Sequence, residues 1–459
     1  MIALRSTEDV PQIQKKEAII MALSKETYQN YVNILKEELI PALGCTEPIA
    51  IAFAAAKAAQ VLGKKPEKIV AECSGNIVKN VKGVIVPNSG NLFGINAAAI
   101  VGALGGDPDK ELQVLNSVTP EAIKETKELV KTDYCEVKLL NTTHTLHIKM
   151  YCYAGEDSSM VEIRDLHNNI VKIVKNDVVT RVQGHESANT GGYYGVMTDR
   201  SCLNLGDIID FAREVSLDDV GELIERQIRY NTAISNEGMT GNYGVAIGPT
   251  ILAQNCQSVW TKMKAYTAAG SEARMCGCVL PVITNSGSGN QGITSSIPLV
   301  TYAREEDVDA ETLYRSIVLS DLMTIYQKAY VGRMSAFCAA VSSATSIAAA
   351  MTFMRGGTDC QISMAIQNSL ANATGIVCDG AKASCAAKIA TSLDCGIMAH
   401  HIAMNDEMYE ADTGLLKIDV DDTIKAVGRM AAEGMRSTDT EILDIMLEED
   451  HGTSFCEKE

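Results

Sequence analysis

Positive charge is scarce in this chain of 459 residues. It has 40 Lys and Arg against 58 Asp and Glu, a formal net charge of −18, and the cations are not gathered into one patch. Nucleic acids and anionic membrane surfaces recruit clustered Lys and Arg, so this balance argues against both as partners. We therefore expect a small-molecule substrate.

A secretory signal and a disulfide framework are also missing. The first twenty residues, MIALRSTEDVPQIQKKEAII, interrupt their apolar residues with acids and lysines, unlike a signal peptide. The 14 cysteines are scattered and lack the short paired spacings of a secreted scaffold. These features predict a reduced protein in the cytoplasm.

A convincing membrane span is lacking as well. The stretch from Met334 to Met354 is almost uncharged and is long enough to cross a bilayer. It consists largely of Ala, Ser and Thr, with almost no Leu or Ile, which suits a helix packed tightly inside a protein. We therefore expect no membrane association. A homo-oligomeric state is left open.

The first 200 residues predict an α/β arrangement. Residues 26–62 have the pattern of two helices interrupted at Gly44–Thr46, and Thr46 is the predicted N-cap of the second, Pro48 to Leu62. Short, alternating, β-branched segments follow from about residue 68 to residue 180, with turn residues between them. Two segments whose apolar residues have helical spacing, residues 94–104 and 119–131, lie between these predicted strands. This pattern predicts an open, mixed sheet with helices on one face.

The remainder of the chain predicts helices and no strands. A loop rich in Gly, Ser and Asn, residues 284–292, separates two groups of them. The predicted fold class is therefore α+β: an α/β domain over residues 1–200, preceded by helices that carry Cys45, and a mostly helical domain over residues 201–459. The predicted helices cover residues 207–235, 246–268, 310–330, 334–354, 360–373, 380–400, 420–434 and 439–448.

Three cysteines of the predicted helical domain, Cys338, Cys378 and Cys385, suggest an iron–sulfur cluster. A cluster held by three thiolates leaves one iron without a protein ligand, and such an iron is a Lewis acid. Seven residues along one helix span about 10 Å, too far for two ligands of a compact cluster. If the helix begins at Asp379 and Gly380, the two sulfurs converge at its positive N-terminus. Alternatively, the cysteines are small buried apolar residues.

Four segments together resemble the L-cysteine desulfidase family, which is similar to the α-chain of bacterial iron–sulfur L-serine dehydratases. The resemblance extends from about residue 30 to about residue 435. One departure is Ala340, where some relatives carry a second cysteine. The segments are GCTEPIAIAFAAAKA from residue 44, ECSGNIVKNVKGVIVPNSG from residue 72, GRMS from residue 332 followed by Cys338, and CDGAKASCAAKIA from residue 378.

The resemblance implies that Cys338, Cys378 and Cys385 bind a [4Fe–4S] cluster and that Cys45 is a further functional cysteine. Cys45 lies just before a predicted helix N-terminus, which favours its thiolate as a base or as an iron ligand. A cysteine of a capping turn without chemistry is the alternative. The fourth coordination position is open to Cys45, Cys456, water or substrate.

An amino-acid substrate needs donors that converge on its carboxylate. Two loops are rich enough in Gly, Ser and Asn to expose successive backbone N–H groups, although either loop is equally a tight turn. Arg333 offers a bidentate guanidinium, unless it is only a surface residue. The candidate loop residues are Asn88, Ser89, Asn91, Asn285, Ser286, Ser288 and Asn290.

Other chemistry-bearing residues give weaker signals. His185–Glu186 and His400–His401 are acid/base candidates, and adjacent histidines on a helix point to different faces, so one of a pair at most reaches a site. The Cys-x-Cys pair, Cys276 and Cys278, is explained equally well by packing.

The resemblance implies a lyase that converts L-cysteine to hydrogen sulfide, ammonia and pyruvate, with Cys45 as the first candidate for the base. The nearest alternative is an L-serine dehydratase, in which water leaves instead of sulfide. A non-catalytic iron–sulfur redox sensor is a rival of another class, but the chain contains no recognisable DNA-binding module. A pyridoxal-phosphate enzyme is a further rival, although no lysine stands out as its anchor.

Overall fold

The structure is a computed structural model that describes residues 23–182, 198–254 and 258–448. The helices are α1 (Lys25–Glu38), α2 (Thr46–Leu62), α3 (Gly75–Val81), α4 (Gly94–Gly105), α5 (Pro120–Leu129), α6 (Leu205–Glu214), α7 (Leu217–Gly238), α8 (Ile247–Gln254), α9 (Val259–Met275), α10 (Gly289–Glu305), α11 (Ala310–Val331), α12 (Ala339–Met354), α13 (Asp359–Ala373), α14 (Cys385–Met404), α15 (Val420–Arg429) and α16 (Arg436–Leu447). A 3₁₀ turn covers Pro108–Gln113 and a π-helical turn covers Met430–Gly434. The strands are β1 (Pro41–Leu43), β2 (Lys68–Cys73), β3 (Cys135–Leu139), β4 (His147–Ala154), β5 (Asp157–Arg164), β6 (Ile170–Lys175), β7 (Val178–Val182) and β8 (Pro281–Ile283).

Six strands form one mixed sheet in the order β3-β2-β4-β5-β6-β7. Strands β2 and β3 run parallel, and the other neighbours run antiparallel. On β4, Ile148, Met150 and Cys152 are buried, while Lys149 and Tyr151 between them are partly exposed. This alternation with period two gives the sheet one face for the core, which α2 and α4 cover. The predicted mixed sheet is confirmed.

The rest of the described chain is mostly helical, and α12 lies in its interior. Helices α10, α11, α13 and α14 all pack against α12. Small residues allow close packing, and a Cβ on Gly396 of α14 would lie 2.5 Å from the carbonyl oxygen of Ala344. Hydroxyl pairs such as Thr345 with Ser369, 2.8 Å apart, satisfy some of the buried hydroxyl groups, although the hydroxyls of Ser342 and Ser343 in α12 have no hydrogen-bond partner among the described residues. None of the helices in the described residues combines the length and apolarity that crossing a membrane requires.

The apolar core has two main parts. One lies between the sheet and its covering helices, and includes Ile51 and Met150. The other fills the helical region around Val341 and also takes in Leu35 of α1. The predicted α+β fold class, a mixed sheet followed by helices, is confirmed. The predicted division at residue 200 stays a prediction.

The expectation of no strands beyond residue 205 was wrong. Strand β8 pairs antiparallel with β1, and three residues are too few to show the alternation that reveals a strand. Helix α10 was also missed, because its first residues belong to the Gly/Ser/Asn segment and Pro298 lies inside it. The predicted helices 207–235 and 246–268 are each two helices, with residues 255–257 outside the described chain.

Three predicted helix starts were displaced, and each concerns a candidate cysteine. Helix α2 begins at Thr46 with Cys45 at the N-cap, rather than with Thr46 at the N-cap. Helix α12 begins at Ala339 with Cys338 at the N-cap, because the preceding residues pair with the segment around residue 377. Helix α14 begins at Cys385 rather than at Gly380, because the φ of +96° at Gly380 lies outside the helical range and a turn follows it.

We expect Gly102→Ala to destabilise the protein. A Cβ at this position in α4 would lie 2.3 Å from the carbonyl oxygen of Ala52 in α2, so the helices would have to separate. Overpacking of this kind costs about 1–3 kcal/mol in the free energy of unfolding, measurable by urea denaturation. Gly414→Ala, where nothing lies within 4 Å, is the matched control. Equal stability of the two variants would contradict the close α2–α4 packing.

Candidate active site

A cavity of about 110 Å³ lies where several helices begin. Four cysteines line it: Cys45, Cys338, Cys378 and Cys385. Cys45 and Cys338 are the N-caps of α2 and α12, and Cys385 is the first residue of α14. Thiolates are favoured at helix N-termini because of the unpaired N–H groups and the positive end of the helix dipole. The structure therefore brings the three predicted ligands and Cys45 to one cavity.

Short backbone pairing holds two of these cysteines beside each other. The N–H of Cys338 donates to the carbonyl of Ile376 at 3.1 Å, and the N–H of Cys378 donates to the carbonyl of Ala336 at 2.6 Å. Both cysteines thus sit on one two-stranded bridge, although forty residues separate them in the chain. This pairing fixes the spacing of their Cα atoms before any ligand binds.

The loop between Cys378 and Cys385 is held from behind by α3. A Cβ on Gly380 would lie 2.3 Å from the carbonyl oxygen of Lys79, so the loop approaches α3 as closely as only glycine allows. The buried Nζ of Lys79 donates to the carbonyl of Cys378 at 3.2 Å and forms an ion pair with Asp439 of α16. Helices α3 and α16 therefore position this loop at the cavity.

The electrostatics of the cavity combine buried thiols with buried cations. Burial raises the pKa of Cys338 to about 12, raises that of Cys385, and raises that of Cys45 well above its usual range. Burial also lowers the pKa of the Lys328 ammonium to about 8. The positive charge of Arg274 lowers the pKa of Cys45 and of Cys385, and so opposes the effect of burial on these two thiols. Metal ligation requires thiolates, so binding of a cationic group here releases protons.

The donor set fits an iron–sulfur cluster better than a single metal ion. Across the described residues, no three Cys, His, Asp or Glu side chains are grouped as ligands of one ion would be. A [4Fe–4S] cluster makes a different demand, since each thiolate binds a separate iron atom. Cys338, Cys378 and Cys385 line one cavity, and nearby cations offset the charge of three thiolates. The residues present fit this cofactor.

Cys45 is hydrogen bonded to a buried carboxylate. Its Sγ donates to Oε2 of Glu47 at 2.8 Å, and Thr46 and Asn80 also donate to Glu47, at 3.2 Å each. Nε2 of His167 lies 3.9 Å from Oε1 of Glu47, which is an electrostatic contact beyond hydrogen-bond reach. Burial alone would raise the pKa of Glu47, but His167 and the Cys45 thiol outweigh it and lower this pKa to about 2. Glu47 is therefore ionised and accepts from the thiol.

The structure separates the predicted substrate-binding residues into two groups. Ser288, Asn290 and Arg333 line the cavity. Arg333 Nη2 also donates to both carboxylate oxygens of Glu38, at 2.8 and 3.0 Å. The other candidates, Asn88, Ser89, Asn91, Asn285 and Ser286, lie outside the lining.

The residues outside the lining have structural partners. The Asn88 amide donates to the carbonyl of Leu115, and Ser89 donates to that of Val86. Asn285 donates to the buried carboxylate of Asp321, and Ser286 donates to Asn285. Asn91, two residues after Ser89, has φ +68° in the same turn. These contacts explain each residue as part of a turn or core, and their predicted role in substrate binding stays a prediction.

The remaining candidates are elsewhere. His400 is buried between Thr352 and Arg355, where burial lowers its pKa to about 3, and neither it nor His401 lines the cavity. Cys276 and Cys278 also lie outside the lining. Cys456, His185 and Glu186 lie outside the described residues.

Sequence reasoning missed several residues at this cavity. Glu47, Asn80, Arg274 and Lys328 all line it, and His167 contacts Glu47. Glu47 could have been identified from the sequence, because it lies two residues after Cys45, in the first turn of a predicted helix. The other residues come from distant segments, and no local pattern distinguishes a buried Arg or Lys from an exposed one.

Comparison with known proteins shows extensive similarity. Residues 109–444 match the model of the serine dehydratase alpha chain family. A UPF0597 protein of Lachnoclostridium phytofermentans is 48% identical over 420 residues, which cover 92% of this chain and 100% of that protein. UPF0597 proteins of Treponema denticola and Finegoldia magna are each 44% identical, and cover 94% and 92% of this chain and 100% of their own lengths.

We expect Cys338→Ala, Cys378→Ala and Cys385→Ala each to lose most of the bound iron and acid-labile sulfide after anaerobic reconstitution. Loss of a ligand should weaken cluster binding by more than the roughly 10–100-fold that loss of an outer hydrogen-bond partner costs. Cys360→Ala, at an exposed position of α13, is the control and should keep its iron. Full iron occupancy in one of the three variants would remove that residue from the ligand set.

Proposed function

The chain belongs to the serine dehydratase α-chain family, and on that premise we propose that it is an iron–sulfur-dependent lyase that degrades L-cysteine to hydrogen sulfide, ammonia and pyruvate. The family itself indicates a lyase like serine dehydratase. The choice of L-cysteine, a carbon–sulfur bond and a [4Fe–4S] cluster is the proposal.

The observation that supports the proposal most strongly is the grouping of four thiols around one cavity at three helix N-termini. Structural cysteines are often small apolar residues of a core, as Cys73 and Cys152 are in the sheet. A group of thiols facing one cavity beside buried cations is typical of metal ligation.

Cys338, Cys378 and Cys385 are the proposed ligands, and the bound cluster supplies a Lewis-acidic iron that makes the β-sulfur of the substrate a better leaving group. The cavity around these residues is small and buried. Phe337 and Met334 contribute apolar surface to it. Such a wall excludes bulk water and strengthens the electrostatic interactions of a bound amino acid.

Cys45 is the proposed base for the Cα proton. Burial keeps this thiol protonated in the resting site, and Glu47 holds the thiol proton at 2.8 Å. Glu47 accepts this hydrogen bond and orients the thiol. When the thiol releases its proton to solvent, which the charge of Arg274 favours, the thiolate can accept the proton from Cα. Asn80 and His167, on the other side of the carboxylate, stabilise Glu47 in its charged form. The aminoacrylate product then tautomerises and hydrolyses without help from the protein.

Substrate binding is assigned to residues that line the cavity. Ser288 and Asn290 stand at the N-terminus of α10, where backbone N–H groups favour an anion. Arg333 adds a guanidinium, although Glu38 already occupies part of its hydrogen-bonding capacity. These residues offer donors to the polar end of a small amino acid.

L-Serine is the second candidate substrate, because the matching family model is that of the serine dehydratase alpha chain. The two reactions differ only in the leaving group, sulfide or water, on the same carbon skeleton. Both yield pyruvate and ammonia. The same cavity residues serve either reaction.

The test is an anaerobic assay of purified, reconstituted protein with L-cysteine and with L-serine as separate substrates. We expect a brown protein with visible cluster absorption that forms pyruvate and sulfide from L-cysteine at a higher kcat/KM than pyruvate from L-serine. A preference for L-serine would replace the first candidate with the second. Protein that holds the cluster but forms no pyruvate from either would contradict both and favour a redox sensor.

We expect Cys45→Ser to keep most of the bound iron and to lose turnover. Cys45 comes from a different segment from the three proposed ligands, so the cluster does not depend on it. Removal of a general base typically costs about 10²–10⁴-fold in rate, measurable as kcat for sulfide release at equal iron content. Cys360→Ser serves as the control. Turnover at the wild-type rate would assign Cys45 a structural role and the base to another group.

A further inference from the structure

Arg274 at the end of α9 is a buried cation that forms no ion pair with a carboxylate of the described chain. Only 2% of its surface is exposed, and it lines the cavity. Its Nη1 donates to Oδ1 of Asn290 at 3.1 Å, and its Nε has no hydrogen-bond partner among the described residues. Asn290 is neutral, so this contact does not compensate the charge.

The guanidinium of Arg274 lies against the N-terminus of α10. A Cβ on Gly289, the first residue of α10, would be 2.3 Å from Nε and 2.8 Å from Cζ of Arg274. Glycine at this position therefore makes room for the guanidinium. The N-terminal end of a helix carries partial positive charge, so two positive groups face each other inside the protein. An arrangement of this kind is costly unless an anion lies between or beside them.

Arg333 provides an internal comparison, since both arginines line the same cavity. Nη2 of Arg333 contacts both oxygens of the buried Glu38, at 2.8 and 3.0 Å. The charge of Arg333 is thus met by the protein itself, while Arg274 forms no ion pair with a described carboxylate, and Glu47 in the same cavity is hydrogen bonded to Cys45, Thr46 and Asn80 instead. Of the two, Arg274 is the better placed to bind an external anion.

Arg274 is also close to the groups that would carry the reaction. It acts electrostatically on Cys45 and on Cys385, and both thiols line the same cavity. The cavity of about 110 Å³ limits the anion to a small molecule. A planar guanidinium with free donors matches a carboxylate in geometry as well as in charge.

We propose that Arg274, together with Asn290 and the first turn of α10, binds the α-carboxylate of the amino-acid substrate. This inference rests on the proposed function, because it places that substrate in the cavity. The ion pair also assists proton removal. A carboxylate neutralised by Arg274 repels the developing negative charge on Cα less than a free carboxylate does, so the Cα proton is more easily transferred.

The test uses L-alanine and L-alaninamide, which lack a β-leaving group and differ only in the carboxylate. Their affinities are measured by calorimetry on anaerobic, iron-loaded protein: wild type, Arg274→Gln, Arg274→Lys and Gly289→Ala. Arg229→Gln, at an exposed position of α7, is the matched control. Iron content is measured on every sample, so that loss of the cluster is distinguished from loss of the carboxylate site.

We expect the wild type and the control to bind L-alanine at least about 30-fold more tightly than L-alaninamide, as for a buried charge pair. Arg274→Gln should abolish this preference while the affinity for the amide stays unchanged, and Arg274→Lys should restore part of it. Gly289→Ala should weaken the preference by displacing the guanidinium. A preference that survives in Arg274→Gln, or is absent from the wild type, would overturn the proposal.

The binding measurement is independent of the assay for products. If the wild type prefers L-alanine to its amide but releases neither sulfide nor pyruvate, the proposed reaction fails and the carboxylate site stands. If the enzyme is active and Arg274→Gln keeps the carboxylate preference, the reaction stands and the site fails. Should Arg274→Gln fail to fold, Arg274→Lys and Gly289→Ala still decide the outcome, since an unchanged preference in both would overturn it.

Discussion

The convergence of helix N-termini on one small cavity is the constraint on which the site depends. Helices α2, α12 and α14 begin there with a cysteine at or beside the cap, and α10 begins there with Gly289. Four positive helix ends and the buried Arg274 guanidinium would repel one another in an apolar interior. Negative charge relieves that repulsion. Thiolates, a cluster bound to them and a carboxylate substrate all supply it, so the same electrostatic demand connects the proposed cofactor with the proposed substrate.

Short backbone pairings, rather than long elements, bring these helix ends together. Strands β1 and β8 have three residues each, yet their pairing joins the segments that lead into α2 and α10, and Thr46 donates to the carbonyl of Gly287 at 3.0 Å. The isolated bridge of Phe337 with Val377 does the same for two proposed ligands. The rigid parts are the helices behind these pairings, whose small residues pack closely, as Gly102 does against Ala52. A precise site therefore rests on loops that are anchored at both ends by well-packed helices.

The sequence predicted what depends on local periodicity and missed what depends on distant contacts. The mixed sheet and the helical second part followed from spacing alone. Helix α10 was missed although Ser288 and Gln291 have the S-x-x-Q spacing of a capping box, because Gly, Asn and Pro298 suggested a loop. The four cysteines were selected by resemblance to a family and they share one cavity. Arg274 and His167 could not be selected, because their importance comes from partners more than one hundred residues away or from the lack of one.

The cysteines of the cavity are far apart in the order of synthesis. Cys45 leaves the ribosome early, while Cys385 follows three hundred and forty residues later. Helix α16, whose Asp439 pairs with Lys79 behind the loop between Cys378 and Cys385, comes later still. Domains fold as they emerge, so the sheet can form long before its neighbouring thiols exist. The proposed ligands therefore meet only in a nearly complete chain. Cellular delivery of an iron–sulfur cluster to this fold would be a post-translational step, performed on a protein that has already closed most of its interior.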